Sequence, residues 1–227
     1  MNDFKILKGS VVDANADVIV NAANSHLLAG GGVCGAIFKK AGYEKLQEAC
    51  NEYKRPLKDG EAVMTLSYGL TNAKAIIHAV GPDFRLKPRA YETLENAYLN
   101  SLKCMKENDF HSIAFPLISS GIFAGDEERI AYKSARECFK AYKEFVKNYP
   151  DYEVNVSLYA FTDKEYEEAS KVNKIPYTKV KSKPSKVKHV CKCVSEILEA
   201  LVTVIILVMG GIIKAVLIPL TALRKLR

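Results

Sequence analysis

The sequence lacks tryptophan, internal repeats and low-complexity segments, and little in it suggests a metalloprotein or a disulfide-rich protein. Only four histidines occur in 227 residues, and none has the spacing of a metal site. The six cysteines are scattered and no secretory signal precedes Phe4, so we expect a reduced cytoplasmic setting. These absences exclude a repeat array and a zinc module, and they favour one globular domain with an appendage.

Acidic side chains are absent from one stretch, residues 171–192, which holds eight lysines. Residues 193–227 hold four basic and two acidic side chains. Subtracting these tail charges from the formal net charge of +7 leaves the first 170 residues at −3. A domain with that charge has no general attraction for nucleic acid. Nucleic acid is therefore not an expected partner, and the lysines suit an anionic surface instead.

The most informative segment is residues 17–38. Val18–Val20 is the short apolar run that is typical of a buried parallel strand. Gly30–Gly32 lack the side chains that would keep a ligand away from the backbone. A predicted helix over Cys34–Lys40 follows, and its unpaired first-turn N–H groups favour an anion. The segment is thus predicted to be a phosphate-binding strand, loop and helix.

A second segment, Ser112–Phe123, has the same design, because an apolar strand runs into a loop of small residues. Two such loops are able to hold a diphosphate from both sides. Strands that alternate with helices predict an α/β fold with helices on both faces of a largely parallel sheet. The ligand then belongs at the carboxyl ends of the strands. The predicted strands are Phe4–Lys8, Val18–Val20, Glu61–Leu66, Ala75–Ala79, Ser112–Phe115 and Val154–Ala160, and apolar periodicity predicts helices over Arg89–Lys106 and Arg129–Val146.

Two asparagines, Asn21 and Asn24, follow the Val18–Val20 strand. A side-chain amide can donate to one ribose hydroxyl and accept from another without burying a charge. That chemistry suits a sugar beside a diphosphate. The alternative is that the pair only caps the next turn, and the segment alone leaves both interpretations open.

With Gly60–Thr65, Ala75–Pro82 and Asn96–Leu102, these segments resemble, in order and spacing, the macrodomain family of ADP-ribose-binding proteins. The resemblance covers about residues 4–170 and does not extend to residues 171–227. It implies a three-layer α/β/α sandwich with a mixed, largely parallel sheet in a domain of residues 1–170. It also implies that ADP-ribose or an ADP-ribosylated protein is the partner and that no cofactor is needed.

The resemblance also implies a role for each part of the site. Asn24 would be the catalytic residue, because it would contact the distal ribose and orient the scissile bond. The two loops would wrap the diphosphate, and Phe123 would cover the distal ribose. Phe161 would stack on adenine, although an apolar residue after a strand is more often part of the core. The predicted ligand-binding residues are Ser10, Val11, Asn21, Asn24, Gly30, Gly31, Gly32, Val33, Ser119, Ser120, Gly121, Ile122, Phe123 and Phe161.

Two positions depart from the family pattern. Ser10 stands where many members have an aspartate that accepts a hydrogen bond from the adenine amino group, so we expect reduced adenine selectivity. Cys34 stands where many hydrolytic members have an aspartate that orients the attacking water. Some viral members also lack that carboxylate and are thought to use a water held by the ligand's diphosphate. The pKa of the Cys34 thiol should fall at a helix N-terminus, but no base is adjacent in sequence, and a small apolar filler is the favoured interpretation over a nucleophile.

The expected activity is hydrolysis of ADP-ribosyl esters on proteins or of O-acetyl-ADP-ribose. The alternative is a non-catalytic reader of ADP-ribose or of ADP-ribosylated proteins, which both departures favour. A third possibility, regulation of RNA processing, is reported for some bacterial relatives only and has no electrostatic support in the acidic domain.

The tail predicts attachment to a membrane through a basic linker, residues 171–196, and a C-terminal hydrophobic helix, residues 197–227. Lys214 is the only charged side chain from Ala200 to Leu223. As a helix this segment would be about 36 Å long, enough for a bilayer core of roughly 30 Å. We expect it to span the membrane, with the linker lysines near anionic headgroups and the macrodomain facing the cytoplasm. A helix in the membrane plane and a buried oligomerisation helix are the alternatives.

Overall fold

The structure, a computed structural model, describes residues 2–174 and contains one six-stranded sheet in the order β1-β6-β5-β2-β4-β3. All neighbouring strands are parallel except β3, which pairs antiparallel with β4. The six predicted strands and the mixed, largely parallel sheet are therefore confirmed. The strands are β1 Asp3–Lys8, β2 Val18–Ala23, β3 Ala62–Leu66, β4 Ala75–Val80, β5 Ser112–Pro116 and β6 Asn155–Ala160.

Five α-helices are present in the described part of the chain. Three of them, α1, α3 and α4, match the predicted helices to within two residues at each end. The short helices α2 and α5 were not singled out from the sequence, because α2 buries only Leu46 and Cys50 and α5 buries only Ala169. The helices are α1 Gly32–Ala41, α2 Tyr43–Asn51, α3 Tyr91–Glu107, α4 Ile130–Asn148 and α5 Asp163–Ala169, and short 3₁₀ turns occur at Val11–Asp13, Ile122–Ala124 and Ser170–Lys174.

The core has two halves, one on each face of the sheet. Side chains alternate along β2, so Val18 and Val20 pack with residues of α3 and α4, whereas Ile19 packs with residues of α1 and α2. Because both faces are covered, Val18–Val20 is fully buried and apolar throughout. The molecule is thus a three-layer α/β/α sandwich, as the sequence predicts.

The pairing of the strands creates an opening at their carboxyl ends. β2 and β5 pair only through Val18 with Ile113 and Ile19 with Ala114, so their later residues and the loops that follow lie apart. By contrast, β1 and β6 pair along their whole length, and Gly9 N still donates to Ala160 O at 2.9 Å. The chain segments after β1 and β6 therefore run side by side along one border of the opening.

Among residues 2–174, no helix is both long and apolar enough to cross a bilayer. The predicted membrane helix, residues 197–227, and nearly all of the predicted basic linker lie outside the described residues.

Candidate functional site

A cavity of about 620 Å³ lies at the carboxyl ends of β1, β2, β5 and β6. Thirteen of the fourteen predicted ligand-binding residues line it, and Asn21 is the exception. Its wall also includes residues that the sequence did not single out as ligand-binding, namely Gly9, Val12, Ala22, Ala23, Cys34, Ala36, Pro116, Leu117, Tyr159 and Glu165. No lysine or arginine of the described residues lies on this wall. An anion bound there must therefore be stabilised mainly by backbone N–H groups.

The glycine loop, Gly30–Gly32, leads directly into α1. Gly32 has a φ of +59°, and Gly31 is the N-cap residue of α1. A Cβ on Gly31 would meet no protein atom within 4 Å, so the space beside it is open. A Cβ on Gly35, in contrast, would lie 2.5 Å from Gly30 O. The first turn of α1 thus packs tightly under the loop, while the loop itself lies on the cavity wall with open space beside Gly31.

The Asn24 amide is bonded to its own loop. Its Oδ1 accepts hydrogen bonds from His26 N at 3.2 Å and Leu28 N at 3.1 Å, and its Nδ2 donates to Leu28 O at 2.7 Å. The turn-capping interactions are therefore present, yet the side chain also lies on the cavity wall. The second N–H of Nδ2 has no partner among the described residues, so Asn24 presents a rigidly held donor to the cavity.

Asn21 lies behind the site rather than on its wall. It is 1% exposed, its Nδ2 donates to Cys34 Sγ at 3.7 Å, and the same nitrogen is 3.1 Å from His78 Nδ1. The predicted direct contact of Asn21 with the ligand has no support in this position. The prediction ended β2 at Val20, but the strand continues to Ala23, and its alternation turns Asn21 toward α1.

His78 is a buried, hydrogen-bonded core residue. It is fully buried on β4, and its Nε2 lies 3.0 Å from Thr65 Oγ1. Burial lowers the pKa of His78 to about 4. With Asn21 donating to Nδ1, the neutral ring donates through Nε2 to Thr65, which forms a polar chain between β2, β3 and β4.

The buried imidazole predicts a pH-dependent stability. An unfolded histidine takes up a proton near pH 6.5, whereas His78 in the folded protein does so only near pH 4. Stability should fall as the pH is lowered through that window, by on the order of 3 kcal/mol. We expect His78→Gln to flatten this part of the profile in urea denaturation at pH 7, 5.5 and 4.5. His26→Gln, at an exposed position, is the control, and a His78→Gln profile parallel to wild type would contradict the assignment.

Cys34 is buried beneath the loop, with Sγ 3.8 Å from Leu28 O. The expectation that its thiol pKa falls at the helix N-terminus is wrong, because burial raises the pKa of Cys34 above its usual value. The side chain belongs to the apolar cluster under α1, where desolvation outweighs its hydrogen bonds with the Gly30 backbone and the Asn21 amide. A neutral thiol in this position fits the interpretation of a small apolar filler.

The backbone of the second loop, Leu117–Phe123, is hydrogen-bonded to side chains of α3 and α4. Ile118 N donates to the Tyr98 hydroxyl at 2.8 Å, and the Ser134 hydroxyl donates to Ile118 O at 2.8 Å. Ser119 has a φ of +59°, which is unfavourable for a residue with a side chain, and its buried hydroxyl has no partner among the described residues. Backbone strain at a cavity wall is a feature of ligand sites.

Two aromatic side chains border the cavity. The Phe123 ring lies on the second loop, with the Arg85 guanidinium 5.6 Å from its centroid. Phe161 follows β6 and is 72% exposed, so the alternative that it belongs to the core is wrong. Its predicted stacking on a base stays a prediction, and the exposed ring face leaves room for it.

The end of the cavity beside Phe161 contains two polar side chains. Ser10 caps the 3₁₀ turn after β1, where its Oγ accepts from Val12 N at 3.3 Å. Glu165 on α5 was missed as a site residue. The Thr162-x-x-Glu165 spacing is a capping-box pattern that predicts the start of α5, but only the fold brings this carboxylate to the cavity.

Among residues 2–174, no group of three or more His, Cys, Asp or Glu side chains is arranged to hold a metal ion. The polar side chains on the described wall are those of Ser10, Asn24, Cys34, Ser119, Ser120, Tyr159 and Glu165.

Comparison with known proteins places these features in a family. The family model described as Macro domain matches residues 20–134. An O-acetyl-ADP-ribose deacetylase of Escherichia fergusonii is 47% identical over 122 residues, which are 52% of this chain and 68% of the relative.

Solved structures agree with the sequence comparison. The Oceanobacillus iheyensis macrodomain with ADP superposes with a TM-score of 0.69 at 32% identity, covering 76% of this chain and 90% of that one. The Trypanosoma brucei macrodomain in complex with ADP-ribose gives a TM-score of 0.65 at 28% identity, covering 74% and 68%.

Proposed function

Since the chain belongs to the macro domain family, we propose that it binds ADP-ribose and hydrolyses O-acetyl-ADP-ribose or ADP-ribosyl esters on proteins. The observation that carries the proposal is the position of Asn24 on the wall of a cavity bordered by two loops with accessible backbone. The E. fergusonii relative, an O-acetyl-ADP-ribose deacetylase, supports the reaction, and the T. brucei macrodomain with ADP-ribose supports the ligand.

Each part of the ligand has a suitable place in the cavity. The diphosphate lies between the glycine loop and the second loop, where first-turn N–H groups of α1 meet its charge. Adenine lies against Phe161, and the distal ribose lies near Asn24 and Phe123. In this pose the reacting ester is next to the free N–H of Asn24.

Hydrolysis at this site relies on positioning. A water oxygen bonds to the acyl carbon as the bond to the ribose oxygen breaks, which yields ADP-ribose and the free acid. Asn24 acts as a donor, because both backbone N–H bonds to its Oδ1 are already made. The only carboxylate on the described wall is Glu165, at the end beside Phe161. We therefore propose that the ligand's own diphosphate holds the attacking water. Because a diphosphate is a weak general base, the turnover number should be low.

A non-catalytic reader is the second candidate, and the neutral Cys34 is the observation that favours it. A reader would bind ADP-ribose as an enzyme would, since the loops that hold the diphosphate need no general base. The two functions differ only in whether the bound ester is cleaved.

The proposal is tested with the purified full-length chain. Calorimetry with ADP-ribose measures binding, and chromatography measures the release of ADP-ribose from O-acetyl-ADP-ribose and from aspartate- or glutamate-linked ADP-ribosylated protein. We expect both binding and release. Binding without release from any of these substrates would favour the reader, and the absence of binding would contradict both functions.

Cys34 is expected to be dispensable for catalysis. A neutral, buried thiol is a poor nucleophile, so Cys34→Ala should keep kcat on O-acetyl-ADP-ribose within about threefold of wild type, a change of less than about 1 kcal/mol in the barrier. Cys104→Ala, at a half-buried cysteine away from the cavity, is the matched control. A loss of activity in Cys34→Ala with the control unaffected would indicate a covalent role for the thiol.

We also propose that residues 197–227 attach the protein to a membrane, with the domain on the cytoplasmic side. The support is the hydrophobic sequence of the tail and its preceding lysines. Deleting residues 197–227 should move the protein into the soluble fraction, with only salt-sensitive membrane binding left. Release of the full-length protein by carbonate or high salt would contradict a spanning helix.

A further inference from the structure

Glu165 is the only charged side chain on the described wall of the cavity. It belongs to the part of the wall that also contains Ser10 and Phe161. The segments that carry these residues follow paired strands, since Lys8 is opposite Ala160 in the sheet. An ion pair between Lys8 and Asp163 further joins the end of β1 to the start of α5. Glu165 thus places a carboxylate at the end of the cavity that suits a nucleobase.

The capping box fixes the orientation of the Glu165 carboxylate. Its Oε2 accepts hydrogen bonds from Thr162 N at 2.8 Å and from the Thr162 hydroxyl at 3.1 Å. In return, Glu165 N donates to Thr162 Oγ1 at 3.2 Å. Oε1 has no partner among the described residues, so one oxygen is held by the helix start and the other remains available as an acceptor.

Ser10 complements this acceptor. Because its Oγ accepts from Val12 N, its own hydroxyl proton is free to donate. The exposed ring of Phe161 supplies a flat apolar surface beside the two polar groups. An acceptor and a donor next to an aromatic face match a heterocycle that has an amino group beside a ring nitrogen. Adenine has this pattern at N6 and N1, whereas guanine and hypoxanthine have a carbonyl oxygen at position 6.

We propose that Glu165 determines base specificity, with its Oε1 accepting a hydrogen bond from the 6-amino group of adenine. A 6-oxo purine would instead bring a carbonyl oxygen against the carboxylate, which is repulsive. This inference rests on the proposed function, because it takes the cavity to hold ADP-ribose. It also runs against the expectation that Ser10, in place of an aspartate, reduces adenine selectivity, since here a carboxylate comes from α5 rather than from the segment after β1.

The variant Glu165→Gln tests the assignment with little change in structure. Glutamine also completes a capping box, and the box requires an acceptor for Thr162 N. The amide oxygen therefore stays on Thr162, and the amide NH₂ takes the position of Oε1. An acceptor becomes a donor at the same place, so the base preference should invert.

The experiment measures the affinities of the full chain for ADP-ribose and for its hypoxanthine analogue by calorimetry. We expect wild type to prefer ADP-ribose by about tenfold or more, the size of one charge-assisted hydrogen bond. Glu165→Gln should lose about tenfold for ADP-ribose and gain affinity for the hypoxanthine analogue. Glu167→Gln removes the same charge from an exposed position on α5 and should leave both affinities unchanged.

The outcomes separate the inference from the proposed function. If Glu165→Gln changes the affinities for both ligands by the same factor, or changes neither affinity, the assignment of Glu165 is wrong. If wild type binds both purines equally, the assignment is also wrong, whether or not the variant folds. If wild type binds neither ligand, the proposed function itself fails.

Discussion

Asn24→Ala is expected to lower kcat/KM for O-acetyl-ADP-ribose by about 10²–10³-fold, while ADP-ribose affinity changes far less. In the proposed pose the free N–H of Asn24 lies next to the reacting ester, and a donor of this kind stabilises mainly the transition state. The measurement is a comparison of steady-state kinetics with calorimetric binding of the product. A parallel loss of both quantities would assign Asn24 to ligand binding alone.

The substitution also removes the three hydrogen bonds that Asn24 makes within its loop, so a control for loop structure is required. Gln47→Ala provides one. The Gln47 side chain bonds Ala29 N at 3.0 Å and Leu27 O at 3.1 Å, yet it does not line the cavity. We expect Gln47→Ala to lower the melting temperature with only a small change in turnover. Equal losses in the two variants would mean that Asn24 acts through the loop.

Gly35→Ala is expected to weaken ADP-ribose binding by about 10–100-fold. The new Cβ would lie 2.5 Å from Gly30 O, so the backbone of the glycine loop must move. Overpacking of this kind costs about 1–3 kcal/mol. Alanine stabilises a helix interior by about 1 kcal/mol relative to glycine. Any loss of stability in Gly35→Ala would therefore come from the contact with Gly30 O and not from helix propensity. Calorimetry with ADP-ribose and thermal unfolding of the same sample measure the two effects.

Gly31→Ala is the matched control for this prediction. A Cβ at Gly31 would meet no protein atom within 4 Å, and the φ of this residue, −88°, suits alanine. It is therefore a control for stability: its melting temperature should stay near that of wild type, whereas its methyl group, in the space assigned to the ligand, should weaken ADP-ribose binding without any movement of the Gly30 carbonyl. Wild-type binding by Gly35→Ala would show that the position of the Gly30 carbonyl does not matter for the ligand.

Local patterns predict most of this fold because each one is decided by neighbours in sequence. Apolar runs locate all six strands, and periodicity locates α3 and α4. Asn21 shows the limit of this approach, because extending β2 by three residues turns its side chain from the ligand toward α1. A strand end that is misplaced by a few residues is a small error for the fold and a large one for a site residue.

Cys34 and Glu165 show a second limit, because their properties depend on contacts between distant segments. The helix N-terminus predicts a lower thiol pKa for Cys34, but the burial that raises this pKa comes from the packing of α1 on the sheet. Glu165 is 155 residues from Ser10, and only the pairing of β1 with β6 brings the two side chains to one cavity. No sequence window contains either contact.

The support beneath Ile118 has a consequence for the free energy of binding. Tyr98 and Ser134 hold this segment through buried hydroxyls, so little conformational entropy is lost there on association. Part of the affinity for a ligand is therefore set by two side chains that lie outside the cavity.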